Sequence, residues 1–90
     1  MPTIHLLIKG KVQGVSYRVS AREAAEKLHL TGWIKNTRQG DVEAMVTGEE
    51  GDLQEFIIWC KIGPSGAVVA EVVAIPAAET SFTNFLIVRD

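Results

Sequence analysis

The sequence has 90 residues, of which nine are Lys or Arg and eleven are Asp or Glu, and 47% of it is apolar. This length suffices for one hydrophobic core, so we expect a single domain over residues 1–90, without a second lobe that would enclose a large cleft. The apolar share excludes a disordered chain. The net charge of −2 disfavours nucleic-acid partners, whose binding needs a basic surface.

Cysteine content and hydropathy indicate the compartment. Cys60 is the single cysteine, so neither an intrachain disulfide nor a Cys/His metal cluster can be built around it. The N-terminus lacks the basic and apolar segments of a signal peptide. The longest apolar-rich run, residues 67–78, contains Glu71 and Pro76 and is shorter than the roughly 20 residues that span a bilayer. We therefore expect a soluble cytoplasmic protein without a membrane partner.

The first half of the chain predicts a strand, a helix and a hairpin. Alternating apolar residues predict a strand over residues 4–11. The next apolar stripe has the spacing i, i+3, i+4 and i+7 and consists of Ala21, Ala24, Ala25 and Leu28. This spacing predicts an amphipathic helix from about residue 19 and leaves an earlier start open. Two alternating segments, residues 31–37 and 41–47, flank a short turn and predict an antiparallel hairpin.

The second half predicts a helix followed by two strands. The helix is expected over residues 50–62, where acidic residues crowd the first turn and Gly63 with Pro64 ends it. Its apolar stripe consists of Leu53, Phe56, Ile57 and Cys60. Strands are expected over residues 67–76 and 84–89. The order β-α-β-β-α-β with a short terminal strand predicts an α+β fold, the ferredoxin-like split βαβ sandwich, with an antiparallel sheet and two helices on one face. This fold hosts many functions and does not decide among them.

The loop that joins the first strand to the first helix, residues 10–18, is the first candidate site. Glycines in such a loop, together with the N-terminus of a helix, present backbone N–H groups that suit a phosphate. Arg18 ends the loop and has the geometry to bind two phosphate oxygens. The spacing does not match the Walker pattern of nucleotide-binding loops. Taken alone, these residues leave open an anion site or a tight loop with a surface arginine.

Other polar residues give weaker signals. Asn36 lies near the end of the strand over residues 31–37 and, by itself, is most simply a residue that caps the following turn. His5 is expected on the open face of the first strand and His29 at a helix C-terminus. Cys60 is expected in the core.

Two motifs in combination resemble the acylphosphatase family. The first is G-x-V-Q-G-V-x-[aromatic]-R over residues 10–18, and the second is G-W-x-x-N-x-x-x-G-x-V-E-A over residues 32–44. The stretch W-x-x-x-G-P-x-x-A-x-V over residues 59–69 and the last strand, residues 85–88, also resemble the family. The resemblance extends over about residues 4–88.

The resemblance implies an enzyme that hydrolyses a small-molecule acyl phosphate to a carboxylate and inorganic phosphate, with neither a metal ion nor a cofactor. The phosphate-binding arginine of the family falls on Arg18, and its water-orienting asparagine falls on Asn36. The implied backbone cradle for the phosphate consists of Gln13, Gly14, Val15, Ser16, Tyr17 and Arg18. We expect a monomer.

This sequence departs from the family pattern at two places, and two other classes of protein share the fold. Tyr17 stands where the family usually has Phe, and residues 68–71 are not basic. A non-catalytic regulatory or interaction domain with this fold would show no hydrolysis. An RNA-binding module would need aromatic residues on the first and third strands, and the segment 41–47 has none.

Overall fold

Seven elements follow one another in residues 1–89, the part of the chain that the computed structural model describes; Asp90, the last residue of the predicted domain, lies outside it. In chain order they are β1 (Thr3–Lys11), α1 (Tyr17–Lys27), β2 (Thr31–Asn36), β3 (Val42–Thr47), α2 (Glu50–Ile62), β4 (Val68–Ala77) and β5 (Phe85–Ile87). The order is the predicted one, and the ferredoxin-like α+β fold is confirmed.

The start of α1 lies two residues before the predicted residue 19, and the end of β5 lies two residues before the predicted residue 89. The alanine stripe predicts a helix from residue 19, whereas the helix begins at Tyr17. Tyr17 is buried, and its ring lies edge-on to Trp59 of α2 with the centroids 5.4 Å apart. This contact holds the first turn of the helix through a residue that is distant in sequence. Helix α2, by contrast, has its predicted bounds.

The sheet has the strand order β4-β1-β3-β2-β5. The pairs β1–β4, β1–β3 and β2–β3 are antiparallel as predicted, but β5 runs parallel to β2, with Phe85 beside Gly32, so the sheet is mixed. The reason is the connection after β4, which crosses one end of the sheet to reach the opposite edge. Hydroxyl groups hold this crossing, because Thr80 accepts a hydrogen bond from the Thr47 hydroxyl at 2.8 Å through its carbonyl.

One face of the sheet carries the hydrophobic core. Leu6, Ala44 and Ile34 lie side by side on adjacent strands and are fully buried. The helices cover this face with buried residues from their predicted stripes, namely Ala21, Ala25, Leu53, Phe56 and Cys60. Both helices therefore lie on one side of the sheet, as predicted.

The opposite face of the sheet is open and polar at its centre. His5 Nε2 lies 2.7 Å from Glu43 Oε2, and Lys35 Nζ lies 3.8 Å from Glu43 Oε1. The Lys35 ammonium also lies 5.5 Å from the centre of the Trp33 ring. His5 thus occupies the predicted open face. None of the helices in residues 1–89 has the length and apolar character that crossing a membrane requires.

Candidate active site

The loop between β1 and α1 changes direction at two left-handed residues. Gly14 has φ 76° and Ser16 has φ 60°, and the helix starts directly after Ser16. The Ser16 carbonyl accepts a hydrogen bond from the Ser20 N–H at 3.1 Å, which joins the loop to the first turn of α1. A loop of this conformation at a helix N-terminus forms a concave set of N–H groups that attracts anions.

Asn36 reaches the same end of α1 because of its position in β2. It lies two residues after Ile34, on the face that the helices cover, and it pairs with the buried Val42 of β3. Arg18 and Asn36 consequently line one cavity of about 230 Å³ together with Gly14 and Ser16. A cavity of this volume is large enough for a phosphoryl group, and drug-sized ligands occupy pockets of about 300–1,000 Å³.

The turn that follows Asn36 is closed by its neighbour. The Thr37 N–H donates to the Asp41 carbonyl at 2.9 Å, and the Thr37 hydroxyl accepts from the Asp41 N–H at 3.1 Å. Thr37 therefore performs the capping that the sequence alone assigns to Asn36. Asn36 instead lines the cavity.

The six residues of the implied cradle occupy different environments. Four of them line the cavity, namely Gly14, Ser16, Tyr17 and Arg18. Val15 packs against the hydrophobic core. The Gln13 side chain extends to the turn between β2 and β3 and donates to the carbonyls of Thr37 and Asp41. A role for the backbone of these residues in phosphate binding stays a prediction.

Charge at the cavity is positive although the protein is acidic. Among the lining residues, all drawn from residues 1–89, Arg18 and Arg89 are the only charged side chains. Arg89 was not singled out in the sequence. It reaches the cavity because Ile87 pairs in parallel with Ile34, which brings residue 89 level with Asn36. The position of Arg89 beside the cavity follows from the parallel register of β5, which the sequence did not predict.

Tyr17, the departure from the family's Phe, makes a bond that Phe cannot make. Its hydroxyl donates to the Cys60 carbonyl at 2.7 Å in the buried interior. Four residues beyond Cys60 in the chain stands Pro64, which has no N–H, so that carbonyl lacks the usual helical partner. Burial raises the pKa of Tyr17 far above its ordinary value, so the hydroxyl stays protonated and remains a donor.

We expect Tyr17→Phe to lower the free energy of unfolding by about 1 kcal/mol, because the Cys60 carbonyl loses its buried partner while the ring packing is kept. For a domain of about 60–100 residues, this loss lowers Tm by roughly 4–8 °C. Thermal unfolding followed by tryptophan fluorescence measures the shift. An unchanged Tm would show that the hydrogen bond from the Tyr17 hydroxyl to the Cys60 carbonyl does not stabilise the fold.

The remaining reactive residue types lie away from the cavity. Cys60 is fully buried, and burial raises the pKa of its thiol to about 12, so it is a core residue and not a nucleophile. His29 follows the C-cap of α1 with φ 58°, at the helix end where it was expected. Within residues 1–89, no three His, Cys, Asp or Glu side chains are grouped as ligands for a metal ion.

The chain forms a split βαβ sandwich in which an arginine, an asparagine and a strand–helix loop surround one small cavity. Comparison with known proteins identifies its family. The acylphosphatase family model matches residues 4–87. An acylphosphatase of Marinobacter nauticus is 48% identical over 83 residues, which cover 90% of this chain and 89% of that protein. The acylphosphatase structure from Coxiella burnetii matches with a TM-score of 0.93 at 38% identity and covers 96% of this chain and 90% of that one.

The Bacillus subtilis acylphosphatase structure matches with a TM-score of 0.95 at 31% identity, over 98% of this chain and 99% of that one. The chain belongs to the acylphosphatase family, which confirms the resemblance of its motifs. It is an enzyme of acyl phosphate hydrolysis, and its substrate is a small molecule.

Proposed function

We propose that this enzyme holds the phosphoryl group of its substrate between the loop backbone and the Arg18 guanidinium, while Asn36 orients the attacking water. The loop contribution comes from the backbone of residues 13–18. The observation that carries the proposal is that Arg18 and Asn36, from different elements, line one cavity of about 230 Å³ with the loop.

The charge of the cavity suits the transition state of phosphoryl transfer. Negative charge spreads over three equatorial oxygens in that state, so positioning and electrostatic stabilisation supply most of the rate enhancement. The Arg18 guanidinium and the loop N–H groups provide fixed positive charge beside those oxygens. This supply of positive charge is our reason for proposing that the reaction needs no metal ion and no cofactor.

The bond changes require little general acid or general base catalysis by the enzyme. The oxygen of the attacking water forms a bond to phosphorus in line with the acyl oxygen, whose bond to phosphorus breaks, and the carboxylate leaves with that electron pair. A carboxylate is a good leaving group and needs no proton from the enzyme. The proton of the water passes to an oxygen of the substrate phosphate, which leaves as inorganic phosphate.

Release of phosphate from benzoyl phosphate tests this function. We expect rapid release that EDTA does not reduce, and much slower release from phenyl phosphate, since the phenolate needs more acid assistance than a carboxylate. Phosphate release by Arg18→Ala, purified in the same way, shows how much of the activity comes from a contaminating phosphatase. Activity that is lost in EDTA and restored by Mg²⁺ would contradict a metal-independent reaction.

The cellular setting follows from the same features. We propose that residues 1–90 act as one domain and as a monomer, because the cavity is completed by residues of a single chain. A cytoplasmic location is supported by the single buried thiol of Cys60. The net charge of −2 argues against a nucleic-acid partner, because binding to the phosphate backbone needs a surplus of basic side chains. Light scattering tests the monomer.

A further inference from the structure

Gln13 is the one side chain of the loop that bridges to the turn after Asn36. Its Nε2 donates to the Thr37 carbonyl at 2.8 Å and to the Asp41 carbonyl at 2.9 Å. Both hydrogens of the amide group are therefore used. Gln13 itself is half-buried, and the turn that it enters is already closed by its own backbone hydrogen bonds.

The bridge joins the two halves of the candidate site. Gln13 lies in the loop that leads into α1, where Arg18 is the second helical residue, and Thr37 directly follows Asn36 in the chain. The loop has no ladder of strand hydrogen bonds of its own, because β1 ends at Lys11 and α1 starts at Tyr17. The two amide hydrogen bonds therefore fix how far the loop lies from the end of β2.

We propose that Gln13 is a positioning residue that sets the distance between the phosphate held by the loop and the water held by Asn36. This inference rests on the function proposed above, since it acts through Asn36. The reaction requires the water to lie in line with the breaking bond, and a misplacement of about 1 Å is enough to cost roughly 100-fold in rate. Gln13 is not among the residues that line the cavity, so we expect loss of its side chain to leave the phosphate site in place.

Gln13→Met tests the bridge, because methionine has a similar length and no amide. We expect kcat for benzoyl phosphate to fall roughly 10- to 100-fold, while the inhibition constant of inorganic phosphate changes by less than about threefold. Gln39→Met is the matched control, since Gln39 is exposed in the same turn; it should keep the parent kcat.

A double-mutant cycle separates positioning from a general effect on the fold. In the Asn36→Ala background, Gln13→Met should change kcat by less than about twofold, because the group through which it acts has been removed. A merely structural role would lower the folded fraction and therefore reduce kcat by the same factor in both backgrounds. Equal factors in the two backgrounds would overturn the inference.

The outcomes also distinguish a failure of this inference from a failure of the proposed function on which it rests. If Asn36→Ala keeps the parent kcat, the proposed role of Asn36 fails whatever Gln13 does. If Asn36→Ala is slow and Gln13→Met is as fast as the parent, only the role of Gln13 fails. Should Gln13→Met not fold, Gln13→Asn carries the same expectation, because its amide is one methylene too short to reach both carbonyls.

Discussion

Replacing Arg18 by alanine is expected to lower kcat/KM for benzoyl phosphate by roughly 10- to 150-fold, because losing a hydrogen bond to a charged group costs about 1.5–3 kcal/mol. Both binding and turnover should suffer, since the guanidinium contacts the phosphoryl oxygens before and during the transfer. The inhibition constant of inorganic phosphate should rise as well. Initial rates of phosphate release over a range of substrate concentrations separate kcat from KM.

Arg22→Ala is the matched control for this result. Arg22 lies one helical turn after Arg18 on α1, is half-buried, and is not among the residues that line the cavity. Both substitutions change the net charge of the protein equally, so a difference between them reports the local contact. If the two variants hydrolyse benzoyl phosphate equally fast, Arg18 does not hold the phosphate. Arg18→Lys should be intermediate, because lysine keeps the charge but lacks the planar fork.

Replacing Asn36 by alanine should mainly reduce turnover, with kcat about 100-fold lower because the water loses its orientation. The inhibition constant of inorganic phosphate should change by less than about threefold, since the loop and Arg18 remain. This division between kcat and phosphate binding distinguishes Asn36 from Arg18. Kinetics with benzoyl phosphate, together with inhibition by inorganic phosphate, measure both quantities.

The control for Asn36 is Asn84→Ala. Asn84 is exposed immediately before β5, and its backbone carbonyl accepts a hydrogen bond from the Gly32 N–H at 2.9 Å. Alanine keeps that bond, so this variant should be as fast as the parent. If Asn36→Ala also matches the parent rate, Asn36 does not orient the attacking water.

Local patterns in the sequence were sufficient to predict most of the fold. The stripe of α2 and its Gly63-Pro64 stop predicted the bounds of that helix, because an amphipathic helix depends on spacing within the segment alone. The spacing left the exact start of α1 open. The helix begins at Tyr17, two residues before the stripe suggests, where contacts with Trp59 and the Cys60 carbonyl, more than forty positions away, hold the first turn. The parallel direction of β5 was missed for the same reason.

The candidate site was predicted less completely. Arg18 and Asn36 were selected because two motifs resemble a known family, while their residue types alone left simpler explanations open. The bridge from Gln13 to the turn, and the place of Arg89 beside Asn36, depend on how distant segments meet in three dimensions. Neither arrangement can be predicted from the spacing of residues that are close to each other in the chain.

The crossing from β4 to β5 has a consequence for how the enzyme gains its activity. Arg18 follows β1, Asn36 ends β2, and Arg89 follows β5, so the cavity exists only when the strands of both chain halves have met. Pairings between distant segments form more slowly than helices, whose contacts are local. A refolding chain therefore recovers helical content before it recovers catalysis, and turnover reports the closure of the whole sheet.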